Sequence, residues 1–226
     1  MNLAIFDLDN TLINCDSDSE WPKYLMKKGV VDQAFVDKKN TKYYQDYLNG
    51  CLDIDDFLAF QLAPLTRFSR AELDTMHAEF MQEFIAPHMS AQAQACVSKH
   101  AAAGDELLLI SATNEFIITP IAHAFGIRNV IGIALETDAA GNYTGNYTGT
   151  PSFKEGKITR LREWLAERNL CLAHFDKVYF YSDSHNDLPL LRQVNTPVAV
   201  NPDEILLAEA RQYGWPVHDW TDAAAS

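Results

Sequence analysis

Cysteine is scarce, and its spacing excludes two classes at once. Cys15, Cys51, Cys96 and Cys171 are scattered singly, with no C-x-x-C and no zinc-type Cys/His pairing. A disulfide framework and a structural zinc site are therefore not expected, and the four side chains read as reduced structural thiols. Basic residues are also few: 18 Lys+Arg stand against 31 Asp+Glu, a formal net charge of -13. Such a surface repels phosphate backbones and anionic headgroups, so neither nucleic acid nor membrane is an expected partner, and no protein partner is inferred. No uncharged run approaches the roughly 20 residues that span a bilayer. The first residues lack the basic flank and long apolar stretch of a secretory leader, and a cytoplasmic location is expected.

What the chain does have is enough apolar material for a sizeable core. Its 226 residues are 47% hydrophobic and 22% charged, the composition of a globular protein of one large domain, or of one domain with a substantial insertion. Leu3-Ala4-Ile5-Phe6, Leu107–Ile110, Val130–Ile133, Val178–Tyr181 and Pro197–Val200 are short apolar runs of the kind that form strands buried on both faces. Helix-like segments lie at about 114–125, 155–168, 187–193 and 203–213. Strands and helices alternate, which predicts an α/β fold: a Rossmann-like parallel sheet flanked by helices and joined by right-handed crossovers. The Gly-Asn-Tyr-Thr repeat at 141–148 reads as a hairpin, and its two N-x-T sequons, at Asn142 and Asn146, carry no glycosylation reading.

Between Asp16 and Met89 the alternation stops. Trp21, Tyr24, Leu25, Tyr43, Tyr44, Tyr47, Leu48, Phe57, Leu58, Phe80, Met81 and Phe84 recur at helical spacings, and Asp53 and Ser69 stand where helices would be capped. The reading is an inserted all-helical cap at 16–89, over a core made of 1–15 and 90–226. Core packing accounts for most of its aromatics. Placed directly after the first strand, the cap emerges beside the carboxyl ends of the strands, where open α/β sheets do their chemistry.

Three apolar runs end in polar residues there. The first leads into Asp7-Leu8-Asp9-Asn10-Thr11, the second into Ser111-Ala112-Thr113, and the fourth into Ser182-Asp183-Ser184-His185-Asn186-Asp187. Four carboxylates converging on one crevice demand a cation. Mg²⁺ suits them, because it takes hard oxygen ligands and keeps water and substrate phosphate in its shell. Ser111 and Lys157 would complete a phosphate cradle, with Lys154 as the alternative lysine. D-x-D alone would also fit a calcium loop, but the glycine and distal glutamate of an EF-hand are absent.

These four segments, in this order, resemble the motifs of the haloacid dehalogenase superfamily of phosphohydrolases. The helical insertion after the first motif, with Gly156-Lys157 and Asn186-Asp187-Leu188-Pro189, is similar to the branch that holds phosphoserine and histidinol-phosphate phosphatases. The resemblance implies that Asp7 is the nucleophile, forming an aspartyl-phosphate, and that Asp9 protonates the leaving alcohol and then deprotonates water. It implies Mg²⁺ on Asp7, Asp183 and the backbone carbonyl of Asp9. Asp187 would orient ligands, Asn186 would bond near the phosphate, Ala112 and Thr113 would border it, and Thr11 would orient Asp9. Asp16 aligns with an amine-binding acid of the phosphoserine phosphatases, although capping of the first cap helix by Ser17 or Ser19 would explain this acidic stretch equally well. Arg67 and Arg70 are candidates for a substrate carboxylate, though exposed positions on the cap would also account for them. His185 is read as facing solvent or packing locally.

The expected activity is Mg²⁺-dependent hydrolysis of a small phosphorylated metabolite, histidinol phosphate or phosphoserine being the candidates. The alternatives are phosphotransfer to another alcohol on the same scaffold, and a non-catalytic phosphate- or metal-binding module.

Overall fold

A computed structural model describes residues 1–49 and 51–221. Its first strand, β1 (Leu3–Phe6), is buried along its whole length. Cap helices α1 (Ser17–Lys27), α2 (Gln33–Leu48), α3 (Ile54–Leu62) and α4 (Arg70–Phe80) follow. The chain then alternates through α5 (Ala91–Ala102), β2 (Glu106–Asn114), α6 (Glu115–Ala124) and β3 (Asn129–Thr137). After β4 (Tyr143–Thr148) come α7 (Glu155–Ala166), β5 (Val178–Ser182), α8 (Leu188–Leu191), β6 (Thr196–Val200), α9 (Glu204–Tyr213) and β7 (Val217–His218).

The sheet order is β4-β3-β2-β1-β5-β6-β7, with β1 at the centre and every pairing parallel except β3–β4. This is the expected α/β class with its all-helical cap. The alternation of side chains along a strand splits the core into two layers: Ala4 and Phe6 pack into one, Leu3 and Ile5 into the other. The five expected strands all form. One more was not expected, β7, which has two residues; the Gly-Asn-Tyr-Thr repeat does belong to a hairpin, its Tyr143–Thr148 part being β4, antiparallel to β3. The turn lies before it, where Asp138 bonds Ala140 and Asn142. All four cysteines are free thiols, and no described helix is long and apolar enough to cross a membrane.

The cap hangs from two adjacent linkers. The Asn14 N–H donates to His88 O at 2.8 Å and Ser90 N–H to Leu12 O at 3.3 Å, with an antiparallel bridge between Ile13 and Met89. One half of the cap is fastened to the core by α4. His77 Nε2–H donates to Ile117 O at 2.8 Å, and burial pushes its pKa down, so the ring stays neutral among Trp21, Phe80 and Phe116. Asp53 caps α3, and Ser69 caps α4 in a full capping box with Glu72, as the spacing suggests. The N-cap of α1 is Asp16, however, and neither Ser17 nor Ser19. Asp16 accepts from both the Ser19 backbone and its hydroxyl at 3.1 Å, which a serine in that place could not match with two oxygens.

Candidate active site

The central strand sets the position of the first carboxylate. Asp7 extends the ladder by donating its N–H to Tyr181 O at 2.9 Å, so its side chain stands at the carboxyl end of β1, one strand from Asp183 at the end of β5. After Leu8 the chain turns on one carbonyl, which accepts from Thr11, Leu12 and Ile13. Asn10 takes the left-handed conformation within this turn (φ 55), a region that Asn tolerates better than most residues. Beyond β1, β2 carries a bulge: Ile110 pairs with Ile131 and Asn114 with Ile133, leaving Ser111, Ala112 and Thr113 opposite Gly132 alone. A Cβ on Gly132 would lie 2.8 Å from Thr113 O, so the missing side chain permits the close approach. Bulges re-aim side chains, and this one turns all three residues into the pocket.

Lys157 enters from the first turn of α7. Gly156 precedes it, and a Cβ there would lie 1.9 Å from Pro151 O, so the loop can fold back onto the helix start only with glycine. Gly156→Ala is expected to cost about 1–3 kcal/mol, the range of overpacking. Urea unfolding would measure it, and an unchanged midpoint would show that the loop yields without cost.

The buried ammonium of Lys157 donates to Asp7 Oδ1 and Asp187 Oδ2, both at 2.8 Å, and Asp187 also accepts from Ser182 Oγ at 2.7 Å. Burial alone would lower the Lys157 pKa; attraction from Asp187 and Asp7, with their hydrogen bonds, overrides it and holds the group charged. Asp7 is pushed up to about 7, by burial first, against the pull of Lys157 and with repulsion from Asp187 added. Asp183 is raised well above the carboxylate range by burial and by repulsion from Asp7 and Asp187.

Asp9 is held from two sides. Its Oδ1 accepts the Ser17 N–H at 2.6 Å, from the first residue of cap helix α1, and its Oδ2 accepts the Thr113 hydroxyl at 2.9 Å. Burial and the charge of Asp16 push it up to about 6, against those hydrogen bonds. Thr113 Oγ1 also lies 3.0 Å from Asp18, so its single proton serves one of two acids at a time. Asp18 is raised well above its usual value by burial, Asp16 and Asp9.

The pocket thus gathers Asp7, Asp9, Asp16, Ser111, Ala112, Thr113, Lys157, Asp183, Asn186 and Asp187. Thr11 is the exception in role. Its hydroxyl goes to Asp183 Oδ1 at 3.3 Å, since the turn on Leu8 carries it towards β5, and Asp9 is oriented by Ser17 and Thr113 instead. Asn186 donates its side-chain amide to Tyr47 O at 3.5 Å. Lys154 lies over the ring of Phe153. His185 pairs with Asp203 at 2.7 Å. Arg67 donates to Val30 O at 2.7 Å and Arg70 lies over the Tyr143 ring at 4.2 Å, and neither lines the pocket.

Sequence reasoning left out Ser17, whose contribution is a backbone N–H, and Asp18, visible only as one acid among several. It also left out Phe153 and the aromatic wall of Tyr43, Tyr44, Tyr47 and Phe57, whose helical spacing looks the same whether it faces a core or a cavity.

Six lining carboxylates face a single ammonium, Lys157, the only Lys or Arg among the described lining residues. Asp183 has no ion-pair partner among the described residues, and its carboxylate accepts from the Thr11 hydroxyl. That imbalance of charge fits a divalent cation beside Asp7 and Asp183. No three Asp, Glu, His or Cys side chains among the described residues form a ready cage. Two carboxylates with a carbonyl, waters and phosphate are nonetheless the usual donor set for Mg²⁺, which is seldom held by an all-protein cage.

Residues 4–192 match the model of the haloacid dehalogenase-like hydrolases. The chain is 64% identical over 216 residues to a histidinol-phosphatase from Neisseria meningitidis serogroup C (strain 8013), covering 96% of this chain and 97% of that one. A crystal structure of a protein of unknown function from Bordetella pertussis Tohama I is similar with a TM-score of 0.91 and 43% identity, over 97% of this chain and 98% of that one. A phospho-aspartyl intermediate analogue of phosphoserine phosphatase shares the fold at a TM-score of 0.67 and 16% identity, over 97% and 93% of the two chains.

Proposed function

The chain belongs to the haloacid dehalogenase-like hydrolase family, and from that premise we propose that it is a Mg²⁺-dependent phosphomonoester hydrolase in which Asp7 is the nucleophile. One observation carries the reading. Asp7, bonded to Lys157 at 2.8 Å, shares its pocket with a second carboxylate two residues on, which the cap and the β2 bulge hold in place.

In this reading residues 16–89 form the cap over a core of 1–15 and 90–226, and Asp7 attacks the phosphorus atom. The bond to the leaving oxygen breaks as Asp9 donates its proton to that oxygen, giving an aspartyl-phosphate and an alcohol. Asp9, now a base, takes a proton from water. The hydroxide equivalent attacks phosphorus, and inorganic phosphate leaves with Asp7 restored. Ser111 donates to one phosphoryl oxygen and the Lys157 ammonium neutralises another. Mg²⁺ would be held by Asp7, Asp183 and the Asp9 carbonyl, where it supplies positive charge between carboxylate and phosphate. Asp187 keeps Lys157 in place. The four free thiols suit a reducing compartment, and the cytoplasm is the location we propose.

The lining residues also favour one of the two candidate metabolites. Both candidates bring an ammonium to this pocket, but phosphoserine adds a carboxylate that would meet six carboxylates and no arginine. Histidinol phosphate, the substrate class in the name of the Neisseria relative, is therefore proposed over phosphoserine.

Phosphate release from both compounds, with Mg²⁺ and after chelation, tests the reading. Release should require the metal, and kcat/KM for histidinol phosphate should exceed that for phosphoserine by at least about a hundredfold, since opposed like charges cost several kcal/mol. Equal rates would overturn the substrate assignment, and no release from any monoester would overturn the activity.

A further inference from the structure

Tyr47 is near the last turn of α2, in the half of the cap that α4 does not fasten, yet it touches the core at three points. Its hydroxyl bonds Ser184 Oγ at 3.1 Å, next to Asp183, and its carbonyl accepts from Asn186. Its ring meets Phe153, from the loop that leads to Lys157, with centroids 6.1 Å apart and planes inclined at 36°.

Of the other aromatic rings of the pocket, Tyr43 and Phe57 are engaged with each other. Tyr43 packs edge-on to Phe57 at 5.3 Å, lies 5.5 Å from Phe60 and bonds Asp56 through its hydroxyl, while Tyr44 is 49% exposed. Among the described residues Phe153 is the one ring paired with that of Tyr47, tilted against it at 36°. An anchored hydroxyl fixes the plane of a ring without using its faces, and a ring so held is a stacking surface for a flat ligand.

We propose that Tyr47 is a specificity-determining residue for the leaving group, selecting alcohols that carry a flat unsaturated ring by stacking that ring on Tyr47 where it lines the pocket, beside Phe153. This rests on the phosphomonoester reading of the same pocket.

The test compares histidinol phosphate, which has an imidazole ring, with 2-aminoethyl phosphate, which keeps the amine and lacks the ring. In Tyr47→Leu the ratio of their kcat/KM values should fall by about tenfold, mainly through KM for the ringed compound. Tyr47→Phe, which keeps the ring, should retain most of the ratio. A ratio unchanged in Tyr47→Leu overturns the proposal, as does an equal loss in both variants, which would make the hydroxyl and not the ring responsible.

Binding of histidinol phosphate to the Asp7→Asn protein with Mg²⁺, measured calorimetrically with and without Tyr47→Leu, separates this proposal from the one beneath it. A tenfold weaker Kd in the double variant supports ring selection even if the parent protein releases no phosphate, a result that would sink the hydrolase reading alone. An unchanged Kd, or no binding by Asp7→Asn, overturns ring selection whatever the activity.

Discussion

Asp7→Asn is expected to lower phosphate release by at least about a thousandfold while the protein stays folded, because the substitution removes the nucleophile and one of the carboxylates that would hold Mg²⁺. The amide has the shape of the carboxylate, and its oxygen can still accept from Lys157. It also removes a charge that burial already disfavours, as the rise of Asp7 to about 7 shows. The unfolding midpoint should therefore change little, in contrast to the activity. The decisive readout is covalent: acid-quenched wild-type protein should carry the mass of one phosphoryl group during turnover, and Asp7→Asn should carry none. Phosphorylated Asp7→Asn protein would place the nucleophile elsewhere. Loss of activity with an unfolded protein would say nothing of chemistry, so thermal unfolding belongs beside the assay.

The parts of this site that were legible in the sequence share one physical cause. A strand buried on both faces must be apolar, so the first charged residue after it marks the place where the chain meets the pocket. Phe6 gives way to Asp7, and Tyr181-Ser182 to Asp183. Local capping was legible for the same reason: Asp53 and Ser69 satisfy backbone N–H groups two or three residues away.

What the sequence hid depends on direction in space. Thr11 lies two residues from Asp9 but bonds Asp183, because the turn on the Leu8 carbonyl decides which way the hydroxyl points. Asp16 was open between amine binding and a place beside a Ser17 or Ser19 cap, and it is itself the cap, with both oxygens taken by Ser19. The aromatic spacing of α2 and α3 reads as a core stripe, and part of it instead walls a cavity; periodicity reports a face without saying what lies opposite. β4 was legible only through the repeat that reads as a hairpin, since its residues alternate between half-buried and exposed with no apolar run.

The second large effect concerns Lys157, whose removal should damage stability and catalysis together. Lys157→Met keeps the length of the stem and deletes an ammonium held at 2.8 Å by both Asp7 and Asp187, with all three side chains nearly or wholly removed from water. Breaking a buried ion pair from one side costs about 3–5 kcal/mol, because the partners stay buried without compensation. The sign of the pH dependence follows from Asp7. Its folded pKa is already raised, and loss of Lys157, the group that pulls it down, raises it further. The folded variant then binds more protons than the unfolded chain at neutral pH, so its stability falls as pH rises above the ordinary carboxylate value of about 4 and through the raised one. Urea unfolding should accordingly show a larger gap between wild type and Lys157→Met at pH 8 than at pH 5. Adding Asp187→Asn to Lys157→Met should recover part of the loss by removing one unpaired charge. A gap that does not depend on pH, with no recovery in the double variant, would mean that Lys157 contributes through packing and that the charge balance of the pocket rests on other groups.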